Sequence, residues 1–81
     1  MIVFNIKSLL EKKSKSENKR LTYKDIELAT GIKYFKISRI SSQTNYNLNV
    51  IDIEKLCRYF NCTPNDLISI YDEPKAFTPN S

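Results

Sequence analysis

Apolar side chains recur along this chain at helical rather than alternating spacing. Ile6, Leu9 and Leu10 follow Asn5, a residue suited to an N-cap, and the Glu-Lys-Lys-Ser-Lys-Ser run behind them is polar throughout. That spacing predicts a first helix from about Asn5 to Lys15, followed by a charged connector from Ser16 to Leu21. Thr22-Tyr23-Lys24-Asp25 has the form of a capping box, with the Thr22 hydroxyl placed to accept from the Asp25 amide. It opens a short second helix that carries Ile26 and Ala29 inward and must stop at Gly31, the only glycine in the chain, where a left-handed residue ends a helix. From Ile32 to Ser41 the helical period resumes, with Ile37 and Ile40 on one face and Lys33, Lys36 and Arg39 on another.

Ser42 to Leu48 is rich in Asn, Gln, Ser and Thr without periodicity and reads as a loop. A fourth helix opens with Asn49 as cap and Asp52 at its third position, and is expected to bury Val50, Ile53, Leu56, Cys57 and Phe60. Thr63-Pro64-Asn65-Asp66 supplies a cap, a proline at the first helical position and an acid in the first turn, starting a fifth helix with Leu67, Ile68 and Tyr71. The expected organisation is an all-α, compact five-helix bundle over residues 1–72, with residues 73–81 as a tail.

Eighty-one residues make one core and leave no room for a separate ligand-binding domain. The net charge of +4 is unevenly spread: residues 1–39 hold ten Lys or Arg against four Asp or Glu, whereas residues 40–81 hold three against five. A basic half favours a polyanionic partner, although a solvated lysine face is the plainer meaning of the same pattern. No apolar run approaches a bilayer span and the start has no leader pattern, so a cytoplasmic protein is expected. Cys57 and Cys62, without any histidine, offer two ligands where a structural zinc needs four, and read as small buried hydrophobes rather than as a metal site or disulfide. With no histidine, no Gly-rich phosphate loop and no acid pair set in a cleft, neither enzymatic activity nor a cofactor is expected.

Residues 23–42 combine a helix, a one-glycine corner and a second helix with a basic outer side, which is the helix-turn-helix arrangement. Asp25-Ile26-Glu27-Leu28-Ala29-Thr30-Gly31-Ile32 and Ile37-Ser38-Arg39-Ile40 resemble the Cro and phage-repressor (XRE-type) regulators. So do Leu56-Cys57, Phe60-Asn61-Cys62, Pro64, Asp66-Leu67-Ile68 and Tyr71. The resemblance covers about residues 3–72 and implies a lambda-repressor-like bundle that binds double-stranded DNA as a transcriptional regulator, usually a repressor. It places Lys33, Tyr34, Phe35 and Arg39 on base-reading positions. Tyr23, with Lys24, Lys36, Ser38 and the loop residues Gln43, Asn45 and Asn47, is assigned to the DNA backbone. Two residues depart from the family pattern. Glu27 stands where alanine is usual for close helix packing, and Lys33 replaces the usual Ser or Thr cap of the recognition helix.

Plainer readings stand beside these. Phe35 is equally a satellite core residue, Tyr23 a staple on the first helix, and the loop amides ordinary turn formers. The same fold also serves antitoxins and phage-type modules that bind a protein partner, from which the three cations on the third helix distinguish this chain. A homodimer is expected through the end of the fifth helix and the tail, using Ile68, Ile70, Tyr71 and Phe77, unless Ile70 and Tyr71 fold back on the first helix.

Overall fold

The computed structural model describes residues 1–71. Among the described residues there are five helices, α1 (Ile6–Glu17), α2 (Tyr23–Thr30), α3 (Tyr34–Ser42), α4 (Val50–Phe60) and α5 (Pro64–Leu67). The expectation of an all-α chain needs correction, because strands β1 (Ile2–Phe4) and β2 (Ile68–Ile70) pair antiparallel in the register Ile2↔Ile70, Val3↔Ser69 and Phe4↔Ile68. Ile68 and Tyr71 therefore do not extend the fifth helix, which ends at Leu67. Nor do Ile70 and Tyr71 fold back on α1: they pair with the residues that precede it. Asn5 joins the two ends of the chain. Its amide donates to the Leu67 carbonyl at 2.7 Å. Its Nδ2 donates to the Asp66 carbonyl at 3.1 Å and the Ser69 hydroxyl at 2.8 Å, so the side chain expected to cap α1 is spent on closing the sheet.

Ile6, Ile26, Ile37, Ile40, Leu56 and Leu67 are fully buried, one or two from each helix, with Phe4, Leu10, Ile32, Leu48, Cys57 and Phe60 around them. Each such aliphatic side chain is worth about 1.5–3 kcal/mol of transfer free energy. Two inward assignments fail. Val50 is 78% exposed and Ala29 is also outward, because α4 turns Asp52 rather than Val50 toward α3, and α2 meets its neighbours along the Ile26 edge.

The helix ends follow local chemistry. In the Thr22 capping box the Thr22 amide donates to Asp25 Oδ2 at 2.7 Å. Thr63 and Asp66 form a second box behind Pro64. α1 runs two residues past its expected end, to Glu17, and is closed by Asn18 in the left-handed region at φ 54°. Asn61 closes α4 in the same way. No helix among the described residues is long and apolar enough to cross a membrane.

Candidate nucleic-acid interface

α2 ends at Gly31 (φ 81°), whose amide donates to the Glu27 carbonyl at 2.8 Å. A Cβ there would meet nothing within 4 Å, so glycine is required for its dihedral angle and not for space. The Thr30 hydroxyl donates to the Ile26 carbonyl at 2.7 Å and accepts from the Ile32 amide at 3.2 Å, which locks the turn. Ile32 drops into the core and α3 begins two residues later than periodicity suggests, at Tyr34 with Lys33 as N-cap.

Lysine cannot cap, and Lys33 makes no side-chain cap bond. The missing acceptor comes from the preceding helix: Glu27 Oε1 accepts the Tyr34 amide at 3.2 Å. The two departures from the family pattern are thus one device, in which a carboxylate from α2 serves the positive end of α3. Further along α3, Lys36 Nζ lies 2.8 Å from Oδ2 of the buried Asp52 on α4. The Lys36 ammonium is held above its usual pKa by this hydrogen bond and charge. At the far end the Tyr23 hydroxyl donates to Ser41 Oγ at 3.0 Å. α3 is therefore fastened by side chains at both ends and in the middle, over the buried Ile37 and Ile40.

What remains outward on α3 is Lys33, Tyr34, Phe35, Ser38 and Arg39. Phe35 is 52% exposed and Tyr34 47%, which removes the satellite-core reading of Phe35. Their rings meet edge-on at 6.1 Å. The Lys24 ammonium lies 5.2 Å from the Tyr34 ring and the Arg39 guanidinium 6.0 Å from the Phe35 ring. Lys24, Lys33 and Arg39 have no ion pair among the described residues. All four residues expected to read bases, with Lys24 and Ser38, thus share one exposed surface.

The remaining expected backbone contacts divide. Gln43 and Asn47 are exposed in the loop after α3. Asn45, at φ 57°, is engaged instead with β1: its amide donates to the Ile2 carbonyl and its Oδ1 accepts from the Ile2 amide, both at 2.8 Å. Tyr23 bonds α3 through its hydroxyl, lines a surface cavity beside Lys7, Leu10 and Glu11 of α1, and packs partly buried against the core. Sequence reasoning did not find Asp52 as the partner of Lys36, since an acid three residues after Asn49 is sufficiently explained as part of a cap. Asn49 Oδ1 does accept the Asp52 amide at 2.8 Å, while the carboxylate turns to α3. No group of three His, Cys, Asp or Glu among the described residues is placed to hold a metal ion.

A short helix, a glycine corner and a braced second helix with an outward cationic and aromatic surface define a helix-turn-helix protein. The description of the Cro/C1-type helix-turn-helix DNA-binding domain matches residues 5–73. The chain belongs to that family, and so to the DNA-binding regulators of transcription. No curated protein and no solved structure gives a significant match.

Proposed function

We propose that this chain is a sequence-specific repressor that lays the N-terminal half of α3 in the major groove of duplex DNA. Lys33, Tyr34, Phe35 and Arg39 face base edges, and Lys24, Ser38, Gln43 and Asn47 follow the phosphates. Tyr23, Lys36 and Asn45 hold the reading surface in place rather than touch DNA. One observation carries this reading. α3 is braced from α2 and α4 behind, whereas its outer side offers cations and aromatics and no acid lies between residues 28 and 51. The proposed repressor acts in the cytoplasm by occupying its site and excluding other proteins from it. Binding as a two-fold dimer is part of the proposal, since Ile70 and Tyr71 are 76% and 51% exposed beside an outer edge of β2 that has no strand partner among the described residues.

The test is duplex binding as a function of salt and of single side chains. With about five phosphates neutralised per subunit, log K should fall against log salt with a slope of about −4 to −5. Arg39→Ala should cost about 1–3 kcal/mol on the preferred site and far less on random duplex, while Lys24→Ala weakens both alike. A flat salt dependence, or equal losses from Arg39→Ala on both duplexes, would overturn the assignment.

A further inference from the structure

Phe35 poses a physical problem that its neighbourhood answers. Half its surface lies in water, yet α3 already has Ile37 and Ile40 fully buried, so the ring is not needed in the core. It sits on the same outer surface as Lys24, Lys33 and Arg39, with the Arg39 guanidinium 6.0 Å from its ring. An apolar ring within a cationic surface suits an occupant that is anionic overall and presents a small apolar group at the bottom of its groove. On the major-groove floor of DNA only the C5-methyl of thymine, or of 5-methylcytosine, meets that description. The nearness of ring and guanidinium adds a constraint. Side chains four residues apart on one helix face and 6.0 Å from each other can reach adjacent base pairs, and guanidinium matches the N7 and O6 of guanine.

We propose that Phe35 and Arg39 act as one unit that reads a 5-methylpyrimidine beside a guanine, with Phe35 against the methyl group and Arg39 on the guanine edge. The proposal rests on the duplex-DNA reading above and adds to it the base step that α3 selects. Tyr34, whose ring is in contact with the Lys24 ammonium on α2, stands one position aside from this unit.

The full chain is used to enrich bound duplexes from a random pool, and each thymine of the enriched site is then replaced singly by 2′-deoxyuridine. At one thymine adjacent to a guanine, loss of the methyl should weaken binding roughly fourfold, the worth of one buried methyl group. Exchanging that T·A pair for 5-methylcytosine·guanine should retain more affinity than exchanging it for cytosine·guanine. Phe35→Ala should bind the parent site more weakly and be indifferent to the deoxyuridine replacement. The wild-type comparison needs no variant to fold. An enriched site without a thymine beside a guanine, tolerance of every deoxyuridine, or undiminished sensitivity in Phe35→Ala overturns the proposal while leaving duplex binding intact. Failure to enrich any duplex, with binding to oligothymidine single strands or anionic vesicles instead, removes the duplex reading and the proposal with it.

Discussion

Cys57 and Cys62 are five residues apart because α4 ends between them. Asn61 takes the left-handed conformation, its amide donates to the Arg58 carbonyl at 3.3 Å, and the Cys62 amide reaches back to the Cys57 carbonyl at 2.9 Å. In this kind of helix stop the residues at the two ends of the long hydrogen bond bring their side chains together. Both thiols are free, Cys57 buried and Cys62 partly so, and burial first, then the Cys57 neighbour, pushes the Cys62 thiol up to about 11. It therefore stays neutral well above the ordinary thiol value of 9.0, and folded-state stability falls as pH climbs from that value toward 11. Lys36, raised by Asp52, acts in the same direction: its pair contributes fully below the ordinary lysine value and is lost as pH rises through the folded one. Denaturant midpoints should decline across this alkaline window, and Cys62→Ala should flatten the decline while leaving DNA binding nearly intact. Iodoacetamide at pH 8 should label Cys62 much more slowly in the folded chain than in denaturant. Fast labelling of the native protein would show an accessible thiolate and contradict the packing role.

At the level of elements, the pose of α3 depends on acids that belong to other helices. Glu27→Ala leaves the Tyr34 amide without its acceptor and should cost about 1 kcal/mol, as loss of an N-cap does. Glu27→Gln keeps an oxygen acceptor and should recover most of that, by thermal unfolding and by affinity for the preferred site. Lys36→Met should cost about 1 kcal/mol, since Asp52 is buried while Lys36 is partly solvated, and should weaken DNA binding without changing its salt slope. Lys24→Met should make the slope shallower by about 1. An equal change of slope in both variants would place Lys36 on a phosphate after all.

These same fasteners mark the limit of what the sequence discloses. The capping boxes at Thr22 and Thr63, the Gly31 corner and the Ile37–Ile40 stripe are local chemistry and legible from a few adjacent residues. Glu27 and Lys33 stand out singly, but their connection runs through the Tyr34 amide seven residues from Glu27, a distance set by the angle of the corner. The strands escape notice because three residues are too few to show alternation, and the register of Ile2 with Ile70 joins segments nearly the whole chain apart. Lys33, Tyr34 and Arg39 are expected outward from the period of α3, and the structure leaves them exposed. The exposure of Phe35 is not legible in the sequence, since periodicity alone does not tell an outer aromatic from a peripheral core one.

On the scale of the whole molecule, the small sheet joins the start of the chain to the end of α5 and, through Asn45, to the loop behind α3. Phe77, assigned with Ile70 and Tyr71 to the pairing surface, lies outside the described residues. If β2 contributes the dimer contact, Ile70→Lys should abolish cooperative occupation of a palindromic duplex while the monomer stays folded, as read by sedimentation and circular dichroism. Unfolding of Ile70→Lys would instead make Ile70 part of the intramolecular core, against its 76% exposure. Unchanged cooperativity would move the contact elsewhere, to the exposed Val50 and Ile51 at the start of α4.

The bracing of α3 also sets what can be transplanted. A graft of Tyr34–Ser42 into another bundle would carry the outward side chains but leave behind Glu27, Asp52 and Tyr23, which bond its first amide, its middle and its far end. If α3 reads DNA as proposed, the portable unit is the stretch from residue 22 to residue 52, which keeps the capping box of α2 and the Tyr23–Ser41 bond. A chimera built on those bounds should keep its donor's sequence preference, whereas one exchanging α3 alone should keep the fold and blur the preference.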